Sequence, residues 1–143
     1  MPSPDWDEPA VEAEWFAEQR SHADEYLRGQ RALFGSLEPE PAWAVAPYVA
    51  LWRALGSRSE EPVYWVITGD LPADFLPSSA ASNPRAAATA FAERWRSVAV
   101  YMLAGRKHPT ITIGAAKEST ELGVLLESRA GTIASWALND EYW

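Results

Sequence analysis

The segment Val63–Thr68, with the sequence Val-Tyr-Trp-Val-Ile-Thr, restricts the possible folds of this chain more than any other. Its β-branched and aromatic residues favour a strand, and apolar side chains on both of its faces predict that the strand is central and covered. Its backbone N–H and C=O groups must pair with a neighbouring strand. The nearest candidate is residues 48–55, a short run that is compatible with helix or strand. The sequence therefore predicts an antiparallel hairpin of residues 48–55 and 63–68.

Three helices are predicted from side chains that recur every three or four residues: 9–34, 84–104 and 118–140. The second has a clear start, because Asn83 is a favourable N-cap and Pro84 suits the first helical position. Four glycines are predicted to end, bend or break these helices: Gly35, Gly105, Gly123 and Gly131. A short alternation within 108–114 predicts a third, edge strand. The expected fold class is α+β and helix-rich, with a small antiparallel sheet of two to three strands packed against three main helices.

Length and composition predict one soluble domain. A chain of 143 residues, 48% of them hydrophobic, has the size and composition of a single globular domain. It contains no cysteine, which excludes disulfides and thiolate metal sites. No apolar run approaches the ~20 residues that a membrane-spanning helix needs, and no apolar signal region begins the chain. We expect an acidic N-terminal arm at residues 1–8, a single α+β domain at residues 9–143 and a cytoplasmic location.

The charge of the chain is concentrated near its N-terminus. The net charge is −8, and residues 1–25 contain eight of the 20 acidic residues but only one basic residue, Arg20. Such a segment repels phosphates, and no basic stripe follows it, so nucleic acid is not an expected partner. The acidic segment is either a docking arm for a basic partner or a solvated helix start whose carboxylates complement the helix dipole. Ten arginines against two lysines are typical of a GC-rich bacterium.

The sequence contains no motif for catalysis or cofactor binding. Only two histidines are present, and no serine has a recognisable triad around it. His22 lies on the apolar stripe of the first predicted helix, with Glu18 four residues before it, but no second Glu-x-x-His set completes a metal site. His108 has no evident partner. Because glycine-rich phosphate loops and dinucleotide fingerprints are also missing, no catalytic residue, metal ligand or cofactor is predicted.

Five residues are predicted to line a cleft: Trp65, Asp70, Asp74, Asn83 and Arg85. Asp70 follows the covered strand directly and Asp74 lies four residues on, so the two carboxylates could converge for acid–base chemistry or on a cation. The alternative is that Asp70 caps a turn. Arg85 falls in the first turn of a helix, where the helix dipole opposes a cation. Its compensation is either an ion pair with one of these aspartates or an anionic ligand.

Eight tryptophans are more than a domain of this size needs internally. Most fall on predicted core stripes, but Trp43 lies in a proline-rich loop and Trp143 ends the chain. Exposed aromatic side chains are typical of interfaces, so Trp43 and Trp143 are the predicted partner contacts. For Trp143, docking of the tail onto its own domain is an equal alternative.

Several phrases of the sequence resemble those of one uncharacterised bacterial family. They include Glu14-Trp-Phe-Ala-Glu-Gln-Arg20, Trp65-Val-Ile-Thr-Gly-Asp-Leu-Pro72, Asn83-Pro-Arg85 and Leu126-Glu-Ser-Arg-Ala130. On these phrases the chain is similar to the family named domain of unknown function 4826, from about Glu14 to Trp143. The resemblance implies a small bacterial protein that stands alone, and it supplies no established activity.

The expected function is that of a small, non-catalytic bacterial protein. It would act through protein–protein interaction or self-association, using its tryptophan-rich surface and its acidic arm. The alternative is a small-molecule- or anion-binding protein, or a hydrolytic one, with a cleft lined by Asp70, Asp74, Arg85 and Trp65. Convergence of those side chains on a bound anion or metal would favour the second hypothesis.

Overall fold

The computed structural model describes residues 4–111, 113 and 120–143. The chain divides into two compact units, Met1–Ser79 and Ala80–Trp143. Within the described residues, the first unit contains one long helix and a sheet of five strands: α1 (Pro9–Gly29), β1 (Ser36–Leu37), β2 (Trp43–Val45), β3 (Val49–Leu55), β4 (Pro62–Gly69) and β5 (Asp74–Pro77). The second contains two long helices: α2 (Pro84–Leu103) and α3 (Thr120–Ala137). The α+β class is confirmed.

The sheet is antiparallel and larger than the sequence predicts. Its strands lie in the order β1-β3-β4-β5, and β2 also pairs with β3. The predicted hairpin is confirmed as β3 and β4, with Trp52 opposite Val66, and β4 is central as expected. The prediction of two to three strands is wrong, because the sheet has five. The sequence does not indicate β1, β2 and β5, which are only two to four residues long. Strands this short show no alternation that stands out from the loops around them.

One face of the sheet packs against α1. The apolar core of this layer joins residues of α1, β1, β3 and β4: Trp15, Ala23, Leu27, Leu37, Ala50, Trp52, Ala54 and Val66. Trp52 is completely buried, and its indole N–H donates to Thr68 Oγ1 at 3.2 Å. Burying a large apolar side chain stabilises a fold by ~1.5–3 kcal/mol. A hydrogen bond for the buried N–H avoids the cost of leaving that donor unsatisfied.

Helix α1 ends at Gly29 rather than at residue 34. Arg31 adopts the left-handed conformation, with φ of 59°, and the N–H of Ala32 donates to the Leu27 carbonyl oxygen. This is the hydrogen bond of a Schellman motif, in which glycine usually occupies the left-handed position. Because an arginine occupies it here, the sequence carries no signal for the helix end. The prediction that Gly35 ends the helix is wrong for this reason.

The second unit is a helical hairpin in which α2 and α3 run antiparallel. Two contacts set its register. The Arg85 Nε donates to the Ala137 carbonyl oxygen at 2.6 Å, and Gly123 lies against Met102 at the other end of the hairpin. The start of α2 follows the prediction, since the Asn83 side chain caps the helix.

Helix α3 is continuous through both of its glycines. Of the two predicted effects of Gly123 and Gly131, a bend or a break, the break is wrong. Gly123 is buried, and a Cβ added there would lie 2.9 Å from the Met102 Cβ. This glycine therefore permits the close approach of two helices, whereas a Cβ at Gly131 would meet nothing within 4 Å.

The third edge strand that the sequence predicts would lie between α2 and α3, at residues 108–114. Residues 108–111 and 113 are not part of a strand, and residues 112 and 114 lie outside the described residues. The predicted first two residues of the third helix, 118 and 119, lie outside them as well. Within the described ranges, no helix has the length and apolar character needed to cross a membrane.

Candidate functional site

The five residues of the predicted cleft divide between the two units. Trp65, Asp70 and Asp74 belong to the first unit, whereas Asn83 and Arg85 belong to the second. The cleft that would join the two groups stays a prediction.

Asp70 and Asp74 flank the turn that leads from β4 to β5. Gly69 makes this turn possible, because its φ is 138° and a Cβ there would overlap the Tyr48 carbonyl oxygen. The Asp70 N–H donates to that same oxygen at 2.9 Å. The Asp70 side chain is exposed, whereas Asp74 is 2% exposed and accepts from the Phe75 N–H at 2.9 Å through Oδ1. The two side chains therefore differ in burial, one exposed and one buried.

Trp43 and Trp65 lie on the sheet face opposite α1. Trp43 pairs with Leu51 and Trp65 with Arg53, and alternate residues of β3 share a face. The Arg53 guanidinium carbon lies 4.8 Å from the centroid of the Trp65 ring, and Nη1 lies 3.9 Å from the Glu38 carboxylate. Sequence reasoning missed Arg53, although it is the charged member of an apolar strand. Its contacts anchor the cation between a ring and a carboxylate.

Arg85 begins in α2 and reaches the end of α3. Its Nε donates to the Ala137 carbonyl oxygen at 2.6 Å, and its Nη2 lies 2.8 Å from the Asp140 carboxylate. The C-terminal end of a helix has unpaired carbonyl groups and the negative end of the dipole, so it stabilises a cation. The end of α3 therefore compensates Arg85 for its position in the first turn of α2. The ion-pair partner in this unit is Asp140, an aspartate that the sequence gives no reason to choose.

Trp143 packs on the same end of the hairpin. Its indole N–H donates to the Trp136 carbonyl oxygen at 2.8 Å, and its ring centroid lies 6.0 Å from the Arg85 guanidinium carbon. These contacts correspond to docking of the tail onto its own unit, the second of the two alternatives for this residue. Both Trp43 and Trp143 are half-buried.

A serine–histidine contact lies beside α2. The Ser97 Oγ lies 3.0 Å from His108 Nε2, and Tyr101 packs edge-on to the same ring, so the expectation that His108 has no partner is wrong. In a hydrolytic site the nitrogen that faces the serine must accept its proton. Here Nδ1 accepts from the N–H groups of Thr110 and Ile111, so in the neutral ring Nε2 carries the hydrogen and donates to Ser97. The arrangement anchors a turn and does not activate the serine.

The position of the other histidine differs from the one predicted. His22 is exposed on α1, so its predicted place on the apolar stripe is wrong. The buried positions of α1 are Trp15, Ala23 and Leu27, and the neighbour of His22 rather than His22 itself faces the core. In the part of the chain that the structure describes, no group of three or more His, Cys, Asp or Glu side chains is placed to hold a metal ion.

One surface of the hairpin, which we call the outer face, carries two regular sets of residues. On α2 the set is Thr89, Glu93, Arg96, Val100 and Leu103. On α3 and the residue that follows it, the set is Val124, Glu127, Gly131, Ala134 and Leu138. Successive members are three or four residues apart, which keeps each set on one side of its helix.

The outer face contains exposed aliphatic side chains. The exposed fractions are 67% for Val100, 41% for Leu103, 59% for Val124 and 85% for Leu138. At one end of this face, a groove of about 190 Å³ is lined by members of both sets, with Ala92 and Ala137 at its base. This shared lining places the two sets on the same side of the hairpin. Sequence reasoning missed the outer face, although its spacing in three and four residues was available as a signal.

Comparison with known proteins identifies a family but no characterised relative. The family model described as Domain of unknown function (DUF4826) matches residues 9–143. No curated protein and no solved structure matches the chain. The description of the family names no activity, so the function has to be inferred from the geometry.

Proposed function

The chain belongs to this family of domains of unknown function, and we propose that it is a non-catalytic protein whose outer face docks onto another α-helical surface. One observation carries the proposal. Every exposed valine or leucine that the structure describes in the second unit lies on the outer face: Val100, Leu103, Val124 and Leu138.

The distribution of these side chains is unusual for a helical surface in contact with water. A helix that faces solvent normally presents charged and polar residues on that side. Three of the four, Val100, Leu103 and Val124, lie at one end of the outer face, and exposed apolar side chains grouped in this way are typical of interaction sites. Full burial of an aliphatic side chain is worth ~1.5–3 kcal/mol, so four of them supply a substantial driving force for docking.

The spacing of the outer face indicates what kind of surface it accepts. Alternating steps of three and four residues produce the seam along which one helix packs its side chains between those of another. Gly131 and Ala134 lie within this seam and leave room for side chains of a partner helix. A helical partner therefore fits the outer face better than an extended peptide does.

Charged residues within the outer face add orientation. Glu93, Arg96 and Glu127 are exposed there. Charges at an interface select the partner and its register more than they increase the affinity. Trp43 and Trp143, the contacts predicted from the sequence, are half-buried, so the proposal depends on the outer face rather than on them.

The proposal includes a partner class and a location. The net charge of −8, without a basic stripe, supports a partner other than nucleic acid. The excess of arginine over lysine supports a bacterial source, and we place the protein in the cytoplasm.

Site-specific photo-crosslinking in the native host tests the proposal. A photoreactive amino acid replaces Val124 or Leu138, and matched controls carry it at Glu121 or Thr132, which are exposed on α3 outside the outer face. We expect covalent protein adducts from the two outer-face positions and none from the two controls. Equal yields from both sets, or no adduct from any position, would contradict the proposal.

A further inference from the structure

We propose that the partner of the outer face is the outer face of a second copy of this chain, so that two hairpins form a symmetric four-helix bundle. This inference rests on the proposed docking function and names its partner. It follows from the register of the hairpin and from the charges on its outer face.

The register sets which outer-face residues lie level with one another. It is given by Arg85 at the Ala137 carbonyl oxygen and by Gly123 against Met102. Counting inward along both helices from these contacts gives four levels: Thr89 with Ala134, Glu93 with Gly131, Arg96 with Glu127, and Val100 with Val124.

A two-fold axis parallel to the helices places α2 of one copy over α3 of the other at the same level. Neighbouring helices of the resulting bundle all run antiparallel, which is a common and stable arrangement. A two-fold interface is self-complementary, so each contact between two different residues across it occurs twice. Each of the four levels then occurs twice in the interface.

The residues at each level match those they would meet in the second copy. Arg96 meets Glu127 of the second copy, and this is the level at which both sets carry a charge. Val100 meets Val124, so an apolar side chain meets an apolar side chain. At the remaining two levels a larger side chain, Thr89 or Glu93, meets a small residue. None of the four levels opposes like charges.

The two charges at the matched level are available for this contact. Of the ion pairs between described residues, none uses Arg96 or Glu127. Both side chains are exposed. On a two-fold axis a second copy brings these two opposite charges together, so their shared level favours a second copy over an unrelated helical partner.

Charge exchange tests the inference. Arg96→Glu and Glu127→Arg each place like charges opposite one another twice in the dimer, and the double variant R96E/E127R restores opposite charges. Sedimentation equilibrium on the full chain is expected to show a wild-type dimer. We expect each single variant to raise the dimer dissociation constant at least about tenfold, and the double variant to return it close to the wild-type value. Circular dichroism reports whether each variant keeps its helices.

Two matched controls separate a local from a general effect of charge. Arg106→Glu and Glu121→Arg make the same charge changes at exposed positions outside the outer face, and they should leave the dissociation constant within about twofold of wild type. Equal weakening by the controls would contradict the inference, as would a double variant that stays as weak as the singles.

The crosslinking experiment distinguishes failure of this inference from failure of the proposed function. Adducts of Val124 with twice the mass of the chain support the second copy. A wild-type protein that is monomeric at its highest attainable concentration, with adducts of another mass, overturns the inference and leaves the docking function intact. The loss of all adducts overturns both.

Discussion

The outward surface of α1 and the outer face of the hairpin are both helical surfaces turned away from the core of their own unit, and their chemistry differs. On α1 the exposed positions include Glu14, Glu18 and Glu25. The exposed large apolar residues that the structure describes are all outside α1, and four of them lie on the outer face. Charged side chains are well solvated in water, whereas aliphatic ones are stabilised by a second apolar surface. The difference indicates that the outward surface of α1 is stable in contact with water, whereas the outer face would be stabilised by a second apolar surface.

The charges of α1 support the solvated alternative for the acidic segment. In the described residues, none of the three exposed glutamates forms an ion pair. Asp24 accepts a hydrogen bond from Arg28 at 2.9 Å, and this bond, together with the opposite charge, raises the pKa of the guanidinium. Trp6 of the predicted arm packs edge-on to Trp15 with ring centroids 6.2 Å apart. The end of the arm is therefore in contact with α1.

The largest expected loss of stability comes from a substitution in the apolar core between α1 and the sheet. Trp52→Ala removes a completely buried indole and leaves a cavity, so we expect the free energy of unfolding to fall by about 3–5 kcal/mol. Chemical denaturation followed by circular dichroism measures it. Trp43→Ala, at a half-buried tryptophan of the same sheet, is the matched control and should cost less. Equal losses would show that burial against α1 is not what makes Trp52 important.

Smaller changes in stability are expected from two glycine substitutions in α3, which test the register of the hairpin. Gly123→Ala places a Cβ 2.9 Å from the Met102 Cβ, and we expect this overpacking to exceed the gain in helix propensity, for a net loss of about 1–2 kcal/mol. Gly131→Ala, in the same helix but in open space, should instead stabilise by up to ~1 kcal/mol. Both are measured by denaturation in an Arg96→Glu background, so that self-association does not contribute. The same sign for the two variants would contradict the register of the hairpin.

The smallest effect concerns the end of α1. Arg31 is held at φ of 59°, a conformation that glycine adopts without steric cost, so Arg31→Gly should raise the free energy of unfolding by about 0.5–1 kcal/mol. Gln30→Gly, at the neighbouring right-handed position with φ of −83°, should lower it because it only increases the freedom of the unfolded chain. Thermal and chemical denaturation of the pair provide the measurement, and a loss of stability in Arg31→Gly would count against the Schellman motif.

The predictions from sequence succeeded where neighbouring residues decide the outcome. The β3–β4 hairpin was predictable because six consecutive β-branched and aromatic residues leave few alternatives to a covered strand. Asn83 and Pro84 were predictable as a helix start because capping involves only the next three residues. In contrast, β1, β2 and β5 exist because longer strands beside them offer hydrogen bonds, and their own sequences do not specify them.

The candidate site was less predictable than the fold. The sequence by itself determined the central hairpin through strand propensity, the start of α2 through capping, and the family through its motifs. All three are properties of residues that are adjacent in the sequence. Only the tertiary structure decided that Arg85 pairs with Asp140, that the His108 ring contacts Ser97, and that Gly123 lies against Met102. Each of these depends on what lies across a contact between distant parts of the chain. The outer face is the intermediate case, because its spacing is present in the sequence but its exposure is a property of the folded hairpin.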